Sequence, residues 1–245
     1  MSQAVHEGRR TYRLRAVGVA AIVAVGLAAV SLASVAALFW AIKVSLDRVV
    51  SADELETARA FQRLAVVGTL VFTATQFLSL GLAMIWLWRA RKNLDAFPGA
   101  APNMSQAWVV AGWFVPFANF VVPGRIAFNV ARQSTRERSV AAAVVVWWVG
   151  LLVAMFAYRA GAASADSRRY SIDVLDLRVL SDYYSSWATT TTVGAAAGLL
   201  AAAGFAFAVT RISTAQEERI HRGWYEDQNR ALAASAAGED VAGAA

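Results

Sequence analysis

Four apolar stretches of this chain run for about twenty residues or more with no charged side chain: 16–42, 64–88, 140–158 and 191–210. An α-helix needs roughly 20 apolar residues to cross the hydrocarbon core of a bilayer. Only helices and closed barrels satisfy every backbone polar group in lipid. The blocks therefore predict an all-α integral membrane helical bundle. Composition agrees, since charged residues are 16% of the chain against about a quarter in soluble domains, and mean hydropathy is +0.46.

The first block follows Arg9, Arg10, Arg13 and Arg15. Its length exceeds the roughly 7–15 apolar residues of a secretory signal, so it reads as an uncleaved span. Ser51 and Glu54 form a capping box for a helix expected to continue unbroken into the second block. Residues 166–187, with Asp166, Asp173, Asp176 and Asp182 among apolar residues, suggest an amphipathic helix on the outer surface. The organisation expected is a basic cytoplasmic tail (1–15), a transmembrane helical domain (16–210), a cytoplasmic helix (211–234) and a disordered tail (235–245).

A fifth apolar block, 107–122, is shorter, and Pro116 and Pro123 bracket Asn119 in it. Two topologies compete, five spans or four full spans plus a Pro-broken re-entrant or half-inserted segment. Lys and Arg concentrate in cytoplasmic loops. Five spans divide the basic residues evenly between the two sides. Four spans gather the N-terminal tail, Arg89–Lys92, 125–138 and the C-terminal tail inside, and leave the basic residues of two segments outside. The four-span reading is favoured, with both termini cytoplasmic in a cell membrane. The two prolines agree with it, because each removes a backbone donor that lipid cannot replace.

The run Ala111-Gly-Trp-Phe-Val-Pro-Phe-Ala-Asn119, followed by Pro123 and the basic stretch 125–138, resembles the bacterial membrane family catalogued as domain of unknown function 4328. Trp86-Leu-Trp-Arg-Ala-Arg-Lys-Asn93 and Trp147–Trp148 are similar to it too. The resemblance covers about 64–158. It departs at Val121-Val-Pro-Gly124, where similar proteins carry a Trp–Leu–Pro–Tyr-like stretch. It implies a multi-pass protein and transfers no catalytic residue.

The candidate polar site is Asn119, Arg125 and Asn129 in the broken segment, with Pro116 and Pro123 as its helix breaks. Polar groups at membrane depth face protein or a wet cavity. The alternative is that Asn119 caps backbone freed by Pro116 while Arg125 snorkels to phosphate. Arg89, Arg91, Lys92, Arg132, Arg136 and Arg138 could gather an anionic lipid headgroup, or could simply set orientation. Gly194 and Gly198 form a small-xxx-small pair for close helix packing.

There is no cysteine, and His6 and His221 lie in polar tails, so no metal and no cofactor is expected. HExxH, Gly-x-Ser-x-Gly and P-loop signatures are absent, and nucleic-acid binding is not expected. The leading expectation is a non-enzymatic bundle that organises lipid, anionic lipid included, or a protein partner, which could be a second copy. The alternatives are a small transporter or channel using the broken segment, and an interfacial lipid-acting enzyme.

Overall fold

A computed structural model describes residues 5–6, 9–49, 52–169 and 177–243. Ser51 of the capping box, with Asp173 and Asp176, lies outside the described residues. The architecture is an all-α helical bundle, apart from a two-residue antiparallel pairing of Val5–His6 with Arg9–Arg10. The helices are α1 (Arg15–Asp47), α2 (Ala52–Leu94), α3 (Ala107–Phe114), α4 (Val122–Ser134), α5 (Arg138–Arg169) and α6 (Leu177–Gly243), with a 3-10 turn at Ala118–Phe120.

Four of them are long and apolar enough to cross a membrane: Arg15–Asp47, Asp53–Leu94, Arg138–Ala163 and Leu177–Glu226. α2 has 43 residues without a break, about 65 Å at 1.5 Å per residue. It therefore joins the polar segment after residue 51 to the second apolar block as one rod. Of the amphipathic stretch 166–187, the described parts are the end of α5, 166–169, and the first turns of α6, 177–187, which are continuous with the last span. The fifth block is not a straight helix: Ala107–Phe114 and Ala118–Ser134 meet at 110°.

The chain divides into two compact units. One comprises 1–19, 84–141 and 208–245; the other comprises 20–83 and 142–207.

The second unit holds the apolar blocks and packs through small residues. Leu32, Ala36 and Ala195 form one cluster against Phe72 and Tyr158, and Ile42, Leu46, Ala58 and Ala65 form another with Phe39, Phe61 and Tyr184. A Cβ on Gly204 would lie 2.7 Å from the Ala143 carbonyl oxygen, and one on Gly150 would lie 2.8 Å from that of Ala197. α5 and α6 thus touch backbone to backbone. Large apolar side chains cover the outside, including Val66, Leu70, Phe77 and Leu200, each more than 60% exposed. A water-soluble monomer rarely shows so continuous an apolar jacket; lipid accommodates it.

The first unit is built the opposite way, around buried hydrogen bonds. Asn93 and Gln216, both fully buried, join side chain to side chain at 2.9 Å. Gln216 Nε2 also donates to Ser134 Oγ at 2.8 Å and to the Ala90 carbonyl at 3.0 Å. Because Asn93 and Ser134 both meet Gln216, the chain between them returns to where it left.

Candidate functional site

The returning segment is a helical hairpin, and its sequence explains its shape. Pro116 has no N–H to continue α3. Phe117 then adopts φ 64°, ψ −36°, and Ala118 N–H donates to the Pro116 carbonyl at 2.8 Å. This is a tight γ-turn of the strained hand, rare for a bulky side chain. Pro123 sits in the first turn of α4, where a fixed φ and a missing donor cost nothing. Gly112 lets the arms close: a Cβ there would lie 2.6 Å from Val122 Cγ1. The bend is left bare, with Phe114 70%, Phe117 83% and Val121 59% exposed.

The base of the hairpin is pinned. Arg91, only 6% exposed, donates through Nε and Nη2 to the Met104 carbonyl at 3.0 and 2.6 Å and through Nη1 to Asp95 at 2.7 Å. Asn93 exchanges two hydrogen bonds with the Tyr12 backbone, at 2.7 and 2.9 Å. Glu217 Oε1 accepts the Leu14 and Arg15 amides at 3.1 and 2.8 Å. A carboxylate from α6 thereby caps the N-terminus of α1, where an anion is favoured. Arg219 Nη1 donates to the Gln133 carbonyl in the last turn of α4 at 2.9 Å, the favoured place for a cation.

α4 is amphipathic. Ile126, Ala127, Val130 and Ala131 are buried, while Arg125, Asn129 and Arg132 fall at i, i+4 and i+7 on another face. That face and Asn103 line an open depression of about 420 Å³, completed by Phe128 and Gln133. Asn129 Oδ1 accepts the Asn103 amide at 3.4 Å and Gln133 Oε1 accepts the Ala101 amide at 3.2 Å. Both oxygens are therefore engaged by the loop, and the NH2 ends are left as donors. Arg125 and Arg132 are exposed, and among the described residues neither has an ion-pair or hydrogen-bond partner.

The family described as Domain of unknown function (DUF4328) matches residues 46–214. The chain belongs to this family. No match was found among curated proteins or among solved structures.

In this DUF4328 chain the two motif strings have separate structural tasks. From the Trp86–Asn93 string, Trp86 Nε1 donates to Ser213 Oγ at 3.1 Å, Trp88 packs edge-on against Tyr12, and Arg91 and Asn93 hold the hairpin base. From the Ala111–Asn119 string, Gly112 closes the hairpin and Pro116 breaks it.

The structure gathers Arg125, Asn129 and Arg132 around one depression and leaves the other sequence candidates elsewhere. Asn119 lies by the bend, and its enclosed Oδ1 accepts no hydrogen bond from the described residues. Arg91 belongs to the interior. Lys92 faces Asp95 at 3.4 Å, and Arg89 donates to the Arg13 carbonyl at 3.3 Å. Arg136 and Arg138 are exposed and line no part of the depression. Gly194 approaches Ala154 on α5, the Ala154 carbonyl lying 3.3 Å from a Cβ placed there, whereas Gly198 has nothing nearer than 3.9 Å.

Sequence reasoning missed Ser134, Gln216 and Glu217, the polar partners of the pinned base. It also missed Gly150 and Gly204, where a Cβ would come nearest to the backbone of the facing helix. The one available signal was an uncharged amide, Gln216, at i+4 from the apolar Ile212 and i−4 from Ile220, on the buried face of a helix that otherwise reads as polar.

Proposed function

We propose that this protein is a non-enzymatic, multi-pass protein of the cell membrane that organises lipid around a half-inserted hairpin. Both chain ends and residues 125–138 lie on the cytoplasmic side in this reading, in line with the distribution of Lys and Arg. The observation that carries it is the hairpin: it returns to its origin while Phe114, Phe117 and Val121 stand bare at its bend. In water such side chains forgo about 25 cal/mol for every Å² left unburied; at an interface they reach the acyl boundary while the polar face of α4 stays at headgroup level. The strained backbone at Phe117 supports the same reading, because such residues persist where a required side-chain position offsets roughly 1–3 kcal/mol.

The natural chain has no cysteine, which makes the test direct. Phe117→Cys and Arg136→Cys are each labelled with a polarity-sensitive fluorophore, and the full chain is reconstituted into liposomes. The probe at 117 is expected to emit as in hydrocarbon and to be quenched by bromine on the lipid tails, while that at 136 reports water. Aqueous emission from both positions would remove the hairpin from the membrane and the reading with it. The same Arg136→Cys variant, treated with an impermeant thiol reagent on intact cells, should label only after permeabilisation; labelling from outside would reverse the orientation.

A further inference from the structure

The depression on α4 presents donors almost exclusively. Its lining contains no carboxylate. Its guanidiniums, Arg125 and Arg132, stand two helical turns apart with no counter-charge among the described residues. Other arginines of the chain find one: Arg63 meets Glu56 at 2.9 Å and Arg211 meets Glu137 at 2.8 Å. Between the two cations lies Asn129, whose oxygen, like that of Gln133, is engaged by a loop amide. What remains is two cationic forks and the NH2 groups of Asn129 and Gln133, with the Asn103 carboxamide at the rim, around about 420 Å³, within the roughly 300–1,000 Å³ of ordinary ligand pockets.

That set of donors selects its ligand. Like charges on one helix face repel, so an anion bound between them is stabilised twice, by each guanidinium. A carboxylate offers two oxygens, too few for two forks and two amides. A phosphate offers more, in the geometry that arginine matches with paired hydrogen bonds. We infer that the depression is a phosphate site and that the phosphate is the headgroup of an anionic lipid. This rests on the half-inserted hairpin. Val121, 59% exposed, lies one turn before Arg125, and Phe117 precedes it at the bend. An acyl chain can follow that apolar path, whereas a soluble phosphate ester gains nothing from it.

The test uses the full chain in neutral detergent micelles, with short-chain phosphatidylglycerol, phosphatidylcholine and glycerol 1-phosphate as probes and native mass spectrometry as the readout. Phosphatidylglycerol is expected to bind in preference to phosphatidylcholine. Each guanidinium near an anionic surface contributes about five-fold, so R125Q/R132Q should weaken phosphatidylglycerol by about 25-fold. The pair R136Q/R138Q removes the same charge outside the depression, where no paired hydrogen bond to the phosphate is lost, and should weaken it clearly less. N129L keeps the charge and removes a donor, so it should also weaken phosphatidylglycerol while leaving phosphatidylcholine unchanged.

Equal losses from the two arginine pairs, together with no effect of N129L, would reduce the site to diffuse charge and overturn it. Absence of preferential phosphatidylglycerol binding by the unaltered chain would do the same. If glycerol 1-phosphate displaces the lipid mole for mole, and R125Q/R132Q abolishes that displacement, the phosphate chemistry stands and the lipid source falls. The probe at position 117 separates the two levels: hydrocarbon emission without phosphatidylglycerol selectivity removes only the site, and aqueous emission removes the hairpin reading beneath it.

Discussion

The two units solve the same problem with opposite materials. In the first, Asn93, Gln216, Ser134 and the Tyr12 backbone join segments up to 123 residues apart in sequence through buried hydrogen bonds. In the second, α5 and α6 touch where glycine and alanine remove side-chain bulk, with Ala154 facing Gly194 and Ala201 facing Gly150. The contrast follows from the surroundings each was selected to bear. Lipid tails are as apolar as leucine, so burial in lipid gives helices little reason to associate, and close approach supplies the attraction instead. Where chain ends and loops meet water, the need is to choose one arrangement among many, and a fully satisfied polar network does that. Every side-chain N–H of Asn93 and Gln216 has a partner.

The largest effect should come from breaking that network. Asn93→Leu strands the Tyr12 N–H, the Tyr12 carbonyl and Gln216 Oε1 together, at about 1–3 kcal/mol for each group that stays buried. The expected outcome is a loss of several kcal/mol in a mixed-micelle unfolding titration, with the N-terminal segment becoming protease-sensitive first. Gln216→Leu should be comparably damaging. The double variant should lose clearly less than the two losses added, because residues in one network couple. Strict additivity would mean that the two amides act separately and that the first unit is not held by a network.

The glycine contact comes next. Gly204→Ala and Gly150→Ala place a methyl within 2.8 Å of a carbonyl oxygen on the facing helix, and overpacking of this kind costs about 1–3 kcal/mol. Gly26 is the control, since a Cβ there meets nothing within 4 Å. Gly26→Ala should be neutral or stabilising by up to about 1 kcal/mol, from helix propensity alone. Gly194→Ala should fall between the two. If all four variants unfold alike in the same titration, close approach does not hold the second unit, and the comparison loses that half.

What could be read from the sequence divides along the same line. Spans were legible because lipid imposes a length on an uncharged run, and the bend because two prolines fall in a short apolar block. Arg125, Asn129 and Arg132 were legible as residues, and helical period alone places them on one face. The network was not, because nothing in Asn93 announces a partner at Gln216 and nothing in Arg91 separates it from Arg89. Burial assigned Arg91 to the Met104 carbonyl, and burial is a property of the fold. The glycines failed for a different reason. A four-residue spacing within one helix finds Gly194 and Gly198, whereas Gly150 and Gly204, which come nearest to the facing backbone, oppose residues of a second helix whose register no local pattern fixes.

The smallest effect tests whether polarity or burial makes the first unit's bonds matter. Arg211 and Glu137 form a short ion pair, both carboxylate oxygens lying 2.8 Å from Nη2, so by distance alone this pair should rival the Asn93–Gln216 bond. Its side chains are, however, 51% and 45% exposed, so water competes for both charges, and pairs of this kind contribute about 0.2–1 kcal/mol. Glu137→Gln should therefore shift unfolding by about 0.5 kcal/mol, and the shift should vanish in high salt, where screening shortens the reach of exposed charges. Asn93→Leu should keep its full effect in the same salt, because its partners are neutral and enclosed. A large, salt-resistant loss from Glu137→Gln would put an exposed ion pair on a level with the buried amides. The first unit would then owe its order to charge, and hydrogen-bond burial would cease to be what distinguishes it from the second.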